Sequence, residues 1–119
     1  MLIIELSRQT GASVRSIRYY ETKKLLSSKR LDNGYRDYDD NAIDRVKIIQ
    51  FYLNLGLNTD EIIQIIDCPT SIQDDRPLCK LAYELYKVKL DEVNSKIEIL
   101  NSVRLRLLEK IKEFEKANL

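Results

Sequence analysis

Thr10-Gly11-Ala12-Ser13-Val14-Arg15-Ser16-Ile17-Arg18-Tyr19-Tyr20-Glu21 is the stretch on which the fold turns. Ahead of it, Ile3 to Gln9 predicts a short helix with Ile3 and Leu6 inward and Ile4 as a further inward candidate. Thr10-Gly11 closes that helix, because glycine takes the left-handed conformation that ends one. Ser13 caps a second helix, in which Val14, Ile17 and a tyrosine recur at helical spacing while Arg15, Ser16 and Arg18 fall on the other side. One of the two adjacent tyrosines must turn inward, and we read Tyr20 as core and Tyr19 as a contact residue. Two helices joined by a short glycine-containing turn are the helix-turn-helix pattern.

Working outward, the helical period fails from Leu25 to Tyr38. Asn33-Gly34 lies there between Lys29-Arg30-Leu31 and Tyr35-Arg36, a strong hairpin signal in which Gly34 supplies a positive φ. This predicts a two-stranded wing. Asp39 then caps a helix to about Asn54 with Ile43, Val46, Ile49 and Leu53 inward. Leu55-Gly56-Leu57 breaks it, and Asn58 and Glu61 have capping-box spacing for a helix from Thr59 to Ile66. The body of that helix, with Ile62, Ile63, Ile65 and Ile66, is almost wholly apolar and is expected to be buried.

Residues 67–77, with Pro69 and Pro77, read as a linker between a head (1–66) and a long helix (78–116). In that helix Cys79, Tyr83, Tyr86, Leu90, Val93, Ile97, Leu100, Arg104, Leu107, Ile111 and Phe114 alternate spacings of four and three without a slip. Leu78, Leu81, Leu85 and Val88 form a second apolar row that predicts packing of the first turns on the head. A helix of that length would run to about 58 Å, too long for so small a head to cover. Its seam therefore needs another helix, most simply that of a second copy. Arg104 interrupts the seam; a buried arginine is costly unless paired, so it fixes register or reaches the rim.

The chain has 119 residues, 44% of them hydrophobic and 33% charged, a balance that predicts folding rather than disorder. Net charge is only +1, yet residues 1–38 hold eight basic groups against four acidic ones, so that segment is the candidate electrostatic footprint. No apolar run approaches the roughly 18 residues of a membrane span, and Met1 to Gln9 carries Glu5 and Arg8 in place of a secretory core, so a cytoplasmic protein is expected. With two cysteines and no histidine, the usual zinc spacings are absent, and neither metal nor cofactor is expected. No glycine-rich phosphate loop or paired carboxylates suggest an enzyme.

Arg15 and Arg18 carry planar five-donor groups that grip guanine or phosphate in pairs. Ser16 and Tyr19 add hydroxyls beside Val14. Lys29, Arg30, Tyr35, Arg36 and Tyr38 give the wing cations interleaved with phenols, suited to clamping the DNA backbone.

The stretch quoted first, with Leu25-Leu26, Asn33-Gly34-Tyr35-Arg36-Asp37-Tyr38, Leu55-Gly56-Leu57 and Glu61-Ile62, strongly resembles the MerR family of bacterial transcription regulators. The likeness covers roughly the first 66 residues by motif; the long helix matches the family's dimerisation helix by position and length. The resemblance implies a mainly α winged helix-turn-helix head and an antiparallel coiled-coil homodimer. It implies a second helix in the major groove of double-stranded DNA and a wing on flanking phosphates. It further implies pseudo-palindromic promoter sites, distorted so that RNA polymerase can use them. Dimerisation then falls to Leu90, Val93, Ile97, Leu100, Arg104, Leu107, Ile111 and Phe114.

Cys79 stands where metal-sensing members place a first thiolate, but residues 106–119 contain no cysteine, histidine or methionine to complete such a site. An inert Cys79 is the simpler expectation, and a thiol effector site formed by Cys68 and Cys79 the alternative. The residues identify no inducer, and because the chain stops where the coil does, no separate ligand domain is expected. Two rival readings are an architectural or excision-type winged-helix protein and a coiled-coil adaptor that does not bind DNA.

Overall fold

The computed structural model describes residues 1–67 and 79–118. Helix α1 (Ile3–Thr10) ends at Gly11, whose φ of 77° lets its N–H reach the Ser7 carbonyl. The turn is locked by side chains: Ser7 Oγ donates to the Ala12 carbonyl at 2.6 Å, and Thr10 Oγ1 accepts the Ala12 N–H at 3.2 Å. Helix α2 (Val14–Thr22) starts with Ser13 Oγ accepting the Ser16 N–H. Lys24, at φ 63°, ends it without a glycine, and Leu25 N–H returns to the Tyr20 carbonyl. That bend turns Leu25 and Leu26 into the core.

Strands β1 (Lys29–Arg30) and β2 (Arg36–Asp37) pair antiparallel, Lys29 opposite Asp37 and Arg30 opposite Arg36. Gly34 has φ 86°, and Asn33 Oδ1 accepts the Tyr35 N–H, so the hairpin forms at the predicted residues. The Met1 carbonyl accepts the Tyr38 N–H at 2.7 Å, pinning the base of the wing to the start of the chain.

Helix α3 (Asn41–Asn54) is preceded by Asp39, whose carboxylate accepts the Ala42 N–H, while the residue at the N-cap itself is Asp40. Helix α4 (Thr59–Ile65) opens with a complete Asn58–Glu61 capping box, an arrangement that satisfies two otherwise orphaned backbone donors. Leu6, Ile17, Leu25, Tyr38, Val46, Ile49, Tyr52, Ile62 and Ile65 are fully buried. Side chains of this size stabilise by about 1.5–3 kcal/mol each when buried.

Three inward assignments need correcting. Ile4 is 73% exposed, since it lies about 100° round the helix from Ile3. In α3 the buried stripe is Ala42, Val46, Ile49 and Tyr52, with Ile43 half-buried and Leu53 exposed. The Leu55-Gly56-Leu57 turn brings Leu57 N–H to the Tyr52 carbonyl, which places the returning chain on the Tyr52 side. In α4, Ile63 is exposed, because Thr59, Ile62 and Ile65 form the buried stripe and Ile63 lies about 100° round the helix from Ile62.

Met1–Ala82 and Tyr83–Leu119 are separate compact units. Helix α5 (Lys80–Asn118) has 39 residues, about 58 Å of helix. Leu90, Val93, Ile97, Leu100, Leu107, Ile111 and Phe114 are all exposed along it, as is Arg104. Of the second apolar row, Leu81 and Val88 are exposed and Leu85 half-buried; Ala82 is the buried residue of the first turn. Leu78, Cys68 and all of the expected linker beyond Asp67 lie outside the described residues.

Candidate nucleic-acid interface

Burying Ile17 and Tyr20 orients α2. Tyr20 is 6% exposed and Tyr19 47%, which resolves the tyrosine pair as the helical period favours. Burial raises the Tyr20 phenol above its ordinary pKa, with Ser16 acting in the opposite sense. Arg15, Arg18 and Tyr19 then lie exposed on the opposite side, with Val14 and Ser16 half-exposed at its edge. The Ser16 hydroxyl is shared with Ser13 Oγ at 2.9 Å, so of the two extra hydroxyls that of Tyr19 is the freer.

The cations divide into two groups. Arg8 pairs with Glu5, Lys23 with Asp60 at 3.8 Å, Arg45 with Asp67 at 2.6 Å and Arg36 with Glu21 at 3.1 Å. Arg15, Arg18, Lys29 and Arg30 enter no ion pair among the described residues and are exposed, as are Lys24 in the bend after α2 and Lys47 on α3. Uncompensated cations on one helix and its neighbouring hairpin are what a polyanion attracts. Tyr35, exposed at the wing tip, completes that set.

Tyr38 departs from the sequence expectation. It is 1% exposed, its hydroxyl donates to Glu21 Oε1, and it cannot touch DNA. The alternation in a strand that reads Arg36-Asp37-Tyr38 puts the ring under the wing as core. Its pKa is raised, first by burial and then by the adjacent Glu21 carboxylate. Below the ordinary value of about 10 the folded and unfolded states both carry the phenol proton. As pH rises past that value the unfolded chain loses it first, so stability falls with pH. Tyr38→Phe is expected to cost about 1.5–3 kcal/mol at neutral pH, from the lost bond to a charged acceptor. It should also flatten the alkaline limb of a urea-midpoint-versus-pH curve, and an unchanged limb would contradict this account.

Glu21 was missed by sequence reading. It follows Ile17 by four residues, so helical arithmetic places it on the inner side, but its partners depend on where the wing docks. Cys79 is half-buried just before α5 and disulfide-bonded, so it is not an inert thiol. Among the described residues no cluster could hold a metal ion.

Helix-turn-helix, wing and uncompensated cations define a winged-helix DNA-binding domain. The family profile described as MerR HTH family regulatory protein matches residues 1–67. The chain is 30% identical over 110 residues to the mercuric resistance operon regulatory protein of Bacillus cereus, covering 92% of this chain and 80% of that one. It is 30% identical over 112 residues to the transcriptional regulator CueR of Yersinia pestis, covering 91% and 76%. Among solved structures it resembles the N-terminal part of the multidrug transporter activator of Bacillus subtilis, with 26% identity, a TM-score of 0.66 and coverage of 91% and 97%. The chain belongs to the MerR family. It is a transcription regulator with a DNA-binding head, and its relatives are regulators, not enzymes. No helix among the described residues is long and apolar enough to cross a membrane.

Arg18→Ala is expected to weaken binding to a specific duplex by about 1–3 kcal/mol without unfolding the head, the usual cost of a lost bidentate contact. Mobility-shift titration at fixed salt reads this directly, and full retention of affinity would remove Arg18 from the interface.

Proposed function

We propose that the chain acts in the cytoplasm as a homodimer on a pseudo-palindromic promoter site and activates transcription by distorting the DNA between the promoter elements recognised by RNA polymerase. Each protomer is divided into a head (1–66), a linker (67–77) and a dimerisation helix (78–116). Val14, Arg15, Ser16, Arg18 and Tyr19 read the groove, while Lys29, Arg30, Tyr35 and Arg36 hold the flanking backbone.

The observation that carries this reading is the seam of α5, where large apolar side chains stand in water at heptad spacing from Leu90 to Phe114. At about 25 cal/mol per Å² of apolar surface removed from water, such a seam drives association with a second helix of the same pattern. Two heads fixed to one coil bind a two-fold site at the separation the coil imposes. They also share the cost of bending it, about 1–6 kcal/mol for 20–30 base pairs.

Transcription in vitro tests the mechanism. On a promoter carrying the site in an over-long spacer, the chain should activate. On the same promoter with the spacer shortened to the length polymerase prefers, it should no longer activate. Equal activation on both would contradict distortion.

A further inference from the structure

We propose that Glu21 is a positioning residue of the DNA-binding surface, its carboxylate tying the last turn of α2 to the wing and aiming the outer edge of the Arg36 guanidinium at a backbone phosphate. The inference rests on the DNA-binding reading above and assigns to it a residue that makes no DNA contact of its own. One oxygen of Glu21 accepts the Tyr38 hydroxyl, and the other faces Arg36 Nε at 3.1 Å. The Glu21 side chain is only 16% exposed and that of Arg36 30%, so the pair sits in a partly desolvated setting where an ion pair is stronger than in water.

The ion pair runs along the Nε side of the guanidinium, and the Arg36 guanidinium donates no hydrogen bond among the described residues. An arginine held by an ion pair on its inner side keeps its donors for a ligand and loses less entropy on contact. The pairing also answers a problem built into the wing. Arg30 stands directly opposite Arg36 in the ladder, and like charges facing each other destabilise a hairpin. The Glu21 carboxylate offsets that repulsion and keeps both cations on the wing.

An acidic group beside a phosphate-binding face repels its ligand unless it is neutralised, so Glu21 and Arg36 should act as a unit. The test uses the full chain, a duplex that the wild-type chain selects from a randomised pool, and a duplex of random sequence. Glu21→Gln preserves an acceptor for Tyr38 but removes the charge that grips Arg36. It should bind both duplexes about tenfold more weakly, because a phosphate contact is made whatever the base sequence. Its salt dependence should be shallower by about 1.8, one lost phosphate contact in each protomer of the proposed dimer. Arg36→Lys keeps the charge and the Glu21–Tyr38 bond but loses the fork, and should show the same loss even if Glu21→Gln impairs the head. The double variant Glu21→Gln/Arg36→Ala should be no weaker than Arg36→Ala alone. Effects that multiply, a loss confined to the selected duplex, or wild-type affinity in Arg36→Lys would overturn the proposal while leaving the DNA-binding reading intact. A wild-type chain that selects no duplex would overturn the two together.

Discussion

Leu100→Asp is expected to convert the proposed homodimer to monomer and to lower affinity for a two-fold DNA site by about 10² or more. Leu100 lies at the middle of the α5 seam and is among its most exposed members, at 66%. In a paired coil it would be covered on all sides, and an aspartate there would have to shed its water with no partner to replace it. The spacing of four and three continues on both sides, so slipping the register would bring other apolar positions opposite a charge without curing the defect. The DNA effect follows from linkage. Once the coil is lost, the second head no longer binds at the high local concentration created by the first. Sedimentation equilibrium and a titration against one duplex read the two consequences separately. A dimer that survives the substitution would place the self-association surface elsewhere.

Salt should act just as strongly. Lys29, Arg30 and Arg36 hold the backbone in each protomer of the proposed dimer, so about six phosphates would be neutralised, giving a slope of log K on log salt of about −5. Affinity would then fall by roughly 10³ between 50 and 200 mM salt. The overall charge of +1 gives no hint of this, because the remaining charges are balanced elsewhere, many within local pairs such as Lys89–Glu92 and Lys110–Glu113. A slope shallower than about −3 would mean that the three wing cations do not all reach the backbone.

The features legible in the sequence are those set by short-range physics. Gly11, Ser13, the Asn33-Gly34 hairpin and the Asn58–Glu61 capping box each act within a few residues, and all form where their chemistry predicts. The unbroken period of the long helix is legible for the same reason. What required the structure depends on how elements dock. Leu53 and Tyr52 are equally plausible core residues by helical arithmetic, and only the return of the chain through Leu57 selects Tyr52. Tyr38 looked like one more phenol on a cationic wing until Glu21 was found beneath it. Arg36 remains on the wing, but with its inner edge spent on that same carboxylate. The candidate interface was therefore readable in its exposed cations and opaque in the buried contacts that orient them.

In the proposed dimer the α2 and wing surface is used twice, by two heads held on one coil. Hydroxyl-radical footprinting of the wild-type chain on the DNA upstream of its own gene tests this most directly. The account predicts two equivalent protected patches related by two-fold symmetry and separated by whole helical turns, both lost together when Leu100→Asp replaces the wild type. A single unsymmetrical patch, unchanged in that variant, would contradict it.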